Sequence, residues 1–433
     1  MSSLKFENLG WIATTHGDEE QRATTASLRI VAGDDRGVEI TKVEDRIGQT
    51  VRPYINVPLA SLANWLLMNW WRLRWEGKPI NPNVEWSLAH RVSGIGGDHA
   101  WPALEIYSDG DFVHFEMEAE PVADACAVRY LQPVSLDVRA EEFETTVEKF
   151  LDHVQTRLAS TLPDYRDLVE LREELAEERR RERVARNCRW QALAGIHPGD
   201  ASDEWLSSAE SLVEEVGIRA GDELMSTLPQ FAHDLASAKG AVEEMKLSST
   251  SVDLSCAIHD TTVSGGLPWQ RGVELAHQMR TRHRIGRGPL SDEVLSDLLK
   301  TSLPLPGPVS RQPLGGGMRN GSDGGRTRIV KKSRRIASQR FYLARMIGAA
   351  HALTPDQHLV PVTDTSTSLQ KLERAFAQEF LCPWMELEQF TVEHGVDDEA
   401  LIDAADHFGV SEWLVRSTLV NRGRVPRDLL PSA

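Results

Sequence analysis

Two stretches decide the reading of this chain: Arg340 to Leu353, RFYLARMIGAAHAL, and Gln370 to Pro383, QKLERAFAQEFLCP. A basic run overlaps the first. From Arg319 to Arg345 there are nine Lys or Arg (Arg319, Arg326, Arg328, Lys331, Lys332, Arg334, Arg335, Arg340 and Arg345) against one acid, Asp323. Upstream lies LPLPGPVSRQPLGGGMRNGSDGG (303–325), whose four prolines and seven glycines predict an irregular, functional or mobile loop. Downstream, ALIDAADHFGVSEWLVRSTLVNRG (400–423) reads as two helices about a Gly409 turn, and Asp397 or Asp398 is placed to cap the first.

The lead-in Arg340, Phe341, Leu343 and Ala344, with Phe376, Ala377, Glu379, Leu381 and Pro383, resembles the core of the ImmA/IrrE-type zinc metallopeptidases. In that family Arg-Phe-x-Leu-Ala runs into His-Glu-x-x-His, and a later helix opens with a glutamate that is the third zinc ligand. The likeness covers about residues 264 to 425 and implies a zincin-like C-terminal domain, mostly helical with a small sheet. The metal chemistry does not carry over. Arg345, Met346 and Ala349 stand where the family has ligand, base and ligand, and Gln370 stands for the third ligand. A catalytic zinc needs about three protein ligands, an open water position and a nearby base. A cation, a thioether, a methyl group and a neutral amide supply none of these, so no metal, no cofactor and no peptidase activity are expected. His351 lies two residues past Ala349, about 200° around a helix, and cannot replace the second ligand. His358 and His394 are further histidines that a relocated site would have to recruit.

The whole chain sets wider bounds. Its 433 residues suggest two or three domains. A hydrophobic share of 41% is enough for real cores and excludes a wholly disordered chain. Lys plus Arg total 48 against 65 Asp plus Glu, a net charge of -17 that argues against wholesale coating of nucleic acid or an anionic membrane. Cys126, Cys188, Cys256 and Cys382 form no CxxC pair, so neither a zinc ribbon nor a disulfide framework is read. No secretory leader is seen, and the longest apolar stretch, Trp65 to Trp71, is interrupted by Asn69 and far short of the roughly 20 residues of a membrane helix. A soluble, cytoplasmic protein without a membrane partner is expected.

The expected fold class is α+β in three parts: an α+β domain over 1–160, a charged helical connector over 161–260, and the peptidase-like domain over 261–433. In the first part, Ala26 to Ala32 and Val38 to Val43 alternate as strands, and Ser108–Asp111 joins two strands as a hairpin turn. Helical spacing runs from Pro58 to Trp75 and from Ala140 to Leu158. Charged ELREELAEERRRERVAR at 170–186 reads as a solvated or partner-facing helix.

Three surfaces compete for a partner. Arg326, Arg328, Lys331, Lys332, Arg334 and Arg335 offer charge to nucleic acid or to an acidic protein. Trp70, Trp71, Arg72 and Arg74 form a possible protein-binding face. The tail would present Ser411, Glu412, Arg416 and Arg422 to DNA if it were a helix-turn-helix. Ser93-Gly-Ile-Gly-Gly-Asp98 lacks the Lys-Ser/Thr of a phosphate loop and reads as a turn. Cys256 and His259 have no orienting acid in view. The leading expectation is a catalytically inactive regulatory, scaffold or recognition subunit in bacterial stress, phage or mobile-element response, with a protein partner. The alternatives are a nucleic-acid-binding component and an enzyme with an unrecognised site.

Overall fold

The computed structural model describes residues 4–33, 37–119, 127–231, 234–257, 265–312, 314–319 and 325–426. Cys126, His259 and Asp323 lie outside the described residues. The chain divides into two compact units, 1–202 and 203–433, each combining helices with small antiparallel sheets, an α+β arrangement. The stretch 161–260 is shared between them rather than standing apart. Helices Asp167–Arg180 and Glu182–Leu193 belong to the first unit, Asp203–Val216 and Leu235–Leu247 to the second. Despite its charge, the 161–202 stretch sends Leu168, Leu175, Cys188 and Ala192 into the first core, an apolar stripe sufficient to dock it there.

In the first unit, strand Thr25–Ala32 pairs with Leu4–Trp11 on one edge and with Val38–Glu39 and Ile55–Pro58 on the other. Its alternation buries Leu28, Ile30 and Ala32. The hairpin Glu105–Ser108 and Phe112–Met117 continues to Val134–Arg139. Asp109 accepts from the Asp111 and Phe112 N–H groups and so fixes the turn. The long helix expected over 58–75 breaks at Asn69 into Leu59–Met68 and Trp70–Trp75. There the Asn69 side-chain amide donates to Trp65 O, competing locally with helix continuation.

The second unit holds one four-stranded antiparallel sheet, in the order Ser251–Asp253, Arg326–Ile329, Gly315–Arg319, Leu359–Val362. A central strand thus runs through the Gly/Pro-rich span, which is not irregular throughout. Gly316 explains it: a Cβ there would come 2.5 Å from Val360 O, at φ 143°. Its N–H donates to the Tyr342 hydroxyl, which donates back to Gly316 O, at 2.7 and 2.8 Å. Glycine is used here for close approach rather than for a turn. Helix Ser368–Leu381 packs against Pro268–Arg282 and Ile336–Ala352, and the latter also meets strand Leu359–Val362. Asp397 caps helix Asp398–Phe408 by accepting from Ala400 N. No described helix is long and apolar enough to cross a membrane.

Candidate functional site

Helix Ile336–Ala352 is buried on almost every side from Tyr342 to Ala350, because it is held between the sheet and helix Ser368–Leu381. The two helices approach closely at Gly348, where a Cβ would lie 3.0 Å from Phe376 Cβ and 3.1 Å from Glu373 Cα. One turn earlier the same face carries a guanidinium into this apolar setting, and a cation there requires partners.

Arg345 finds them on two elements. Its Nε donates to Glu373 Oε1 at 2.8 Å, and its terminal nitrogen lies 2.6 Å from the same oxygen. That nitrogen also donates to Gln370 Oε1 at 2.9 Å and to Thr363 O. Gln370 Oε1 accepts in addition from Thr363 N, which fixes the amide orientation, so its Nε2 faces Glu223 Oε2 at 3.2 Å. Thr367, the N-cap of helix Ser368–Leu381, donates to the same Glu223 oxygen at 2.7 Å. Arg374 donates to Thr365 O.

The cluster is buried except at one edge, where a terminal nitrogen of Arg345 lies 3.7 Å from exposed Asp364. Gln370 and Glu373 are fully buried, and Arg345 is 7% exposed. Burial pushes the Glu373 carboxyl up to about 8 against the pull of Arg345, and pushes Glu223 up to about 7 against the Thr367 and Gln370 hydrogen bonds. Among the described residues, Glu373 Oε2 has no hydrogen-bond partner. Such perturbed carboxyls mark functional sites and structural ion pairs alike. Here the groups mainly engage one another.

Of the four marked positions, the fold therefore brings Arg345 and Gln370 into contact. Met346 and Ala349 are fully buried in the apolar cluster and contribute no polar atom. Glu373 and Glu223 were not singled out from sequence. Glu373 was readable, since an arginine at the apolar centre of a helix demands a carboxylate on its neighbour. Glu223, more than a hundred residues upstream, gave no local signal. Among the described residues, no group of three or more His, Cys, Asp or Glu is placed to hold a metal ion.

The other marked residues separate. Trp70 and Trp71 are buried, at 2% and 9% exposure, and Arg72 is bound to buried Glu76. Arg74 is held by Glu144 and Gly110 O and lies over Trp75. These four are engaged inside the first unit rather than gathered on an exposed face. Among the tail residues, Ser411 caps helix Glu412–Asn421, Arg416 is paired with Asp398 and Glu412, and Arg422 lies over Trp384. In the basic run, Arg319 donates to the Thr354 and Gln357 carbonyls, and buried Arg340 is tied to Asp292 and Leu290 O. Lys331 and Lys332 donate to the carbonyls of Leu305 and Gln312. Arg326, Arg328, Arg334 and Arg335 remain exposed.

Compared with known proteins, the sequence matches no family model and no curated protein.

Proposed function

We propose that the second unit is a peptidase-like domain in which an internal guanidinium–carboxyl lock replaces the metal centre, and that the protein works by recognition rather than catalysis. The reading is supported by one contact above all. The residues at the positions of two would-be metal ligands, Arg345 and Gln370, bond to each other at 2.9 Å. A guanidinium held by Glu373 fills that place with fixed positive charge, which opposes a divalent cation. The lock ties helix Ile336–Ala352 to helix Ser368–Leu381 through Glu373 and Gln370, so the place of the metal centre is taken up by internal contacts.

On this reading the protein is a cytoplasmic regulatory or scaffold subunit that engages a protein partner in bacterial stress, phage or mobile-element response, without cutting it. The experiment is affinity capture of the full chain from native cells, with and without nuclease. A partner retained after nuclease, recovered uncleaved, supports the proposal. A partner recovered as a defined cleavage product, with cleavage lost in Glu373→Gln, overturns it.

A further inference from the structure

The basic run holds more charge than the lock uses, and the fold sorts it. Strand Arg326–Ile329 places alternate residues on opposite faces. Thr327 and Ile329 are fully buried, while Arg326 and Arg328 are exposed on the other face. Same-face neighbours on a strand lie about 6.6 Å apart, so two guanidiniums stand side by side. On a chain with 65 carboxylates, neither has a carboxylate partner among the described residues.

Their contacts are weak or partial. Arg326 Nε reaches Ser251 Oγ at 3.4 Å, and one terminal nitrogen of Arg328 donates to Lys246 O at 2.6 Å. Asp253, opposite Arg326 in the ladder, is engaged by Lys300 and by the Ser255 N–H. Lys246 is neutralised by Glu215 and Glu243. Both arginines line an open cleft of about 500 Å³, together with Lys246, Leu247, Ser248, Ser249 and Ser251. A cleft of that size accepts a nucleotide-sized group. Two adjacent guanidiniums repel each other unless an anion lies between them, and their forked N–H groups match tetrahedral phosphate oxygens.

We infer that this cleft is a phosphate-binding site, built by Arg326, Arg328 and the Ser249 and Ser251 hydroxyls, for the phosphate of a nucleotide or of a nucleic-acid strand. The other cations of the run do not belong to it, since they are spent on internal carbonyls and carboxylates or lie outside the cleft. This site stands apart from the Arg345 lock, so its failure leaves the proposed function standing, and the reverse holds.

The test uses the full chain and a short fluorescein-labelled single-stranded oligonucleotide, read by anisotropy from about 50 to 200 mM salt, with ADP and polyglutamate as competitors. ADP is also titrated directly by calorimetry. Binding of the oligonucleotide assigns the site to nucleic-acid backbone, and calorimetric binding of ADP alone assigns it to a free nucleotide; either supports the inference. Arg326→Gln/Arg328→Gln weakens binding at least about tenfold and, for the oligonucleotide, lowers the salt slope by about two. Ser249→Asp, which adds an exposed carboxylate beside the arginines, does the same, and Arg334→Gln/Arg335→Gln stays within about twofold. The inference is overturned if neither probe binds, if the two arginine pairs weaken binding equally, or if polyglutamate of matched charge displaces the bound probe as well as the unlabelled probe does.

Discussion

Arg345 and Glu373, on neighbouring helices, meet at 2.6 to 2.8 Å inside the second unit, with Glu373 fully buried. A buried pair of this kind is weak evidence of net stability, but breaking it from one side is costly. Arg345→Met removes the donor to Glu373 Oε1 and to Thr363 O and leaves Gln370 Oε1 with the Thr363 N–H alone. It is expected to destabilise the second unit by about 1–3 kcal/mol in urea unfolding near neutral pH, whereas Arg345→Met/Glu373→Met recovers most of that loss. A single variant as stable as the native chain contradicts the lock.

The pH dependence follows from the raised carboxyls. Glu373 at about 8 and Glu223 at about 7 hold protons in the fold that the unfolded chain releases above about 4.5. Their contribution to stability is complete below that value and is lost as pH rises toward 8. Each titrating group contributes a slope of up to about 1.4 kcal/mol per pH unit. Urea unfolding between pH 5.5 and 8.5 should show the second unit weakening with pH, and Glu373→Gln should flatten the curve. An unchanged slope in Glu373→Gln refutes the assignment.

The first unit has the opposite sign. Burial pulls the Glu76 carboxyl up, but His90 and Arg72 outweigh it and hold it below the usual carboxylate range. Its contribution is present above about 4.5 and is lost as pH falls through the folded value. Acid titration followed by tryptophan fluorescence should therefore report unfolding around buried Trp70 and Trp86 at low pH, shifted upward in His90→Ala. A transition at the same pH in both proteins removes this network from the account.

Gly348 stands where the two helices of the site approach, and a Cβ there would meet Phe376 Cβ at 3.0 Å and Glu373 Cα at 3.1 Å. Gly348→Ala forces a Cβ against Phe376 and Glu373, and overpacking of this kind costs about 1–3 kcal/mol. Differential scanning calorimetry checks it, and a variant that melts at or above the native temperature counts against the close approach.

Much of this fold was readable locally, and the failures have physical causes. Strand Thr25–Ala32 and the hairpin about Ser108–Asp111 follow from alternation and turn chemistry. The strand Gly315–Arg319 was hidden because its glycines answer to Val360 and Tyr342, which are distant in sequence. Trp70 and Arg72 looked available for a partner because composition does not reveal that Asn69 ends one helix or that Glu76 awaits the arginine. At the site, Arg345 and Gln370 were marked by what they replace; Glu223 became visible only through tertiary contact.

The most direct test of the central claim is the zinc content of the purified, zinc-exposed chain after exhaustive buffer exchange, measured by plasma mass spectrometry for the native protein and for Arg345→His/Ala349→His/Gln370→Glu. The account predicts substoichiometric zinc in the native chain and close to one zinc per chain in the folded variant, because three ligands return to one place. One tightly held zinc in the native chain, or none in a variant that folds, would contradict it.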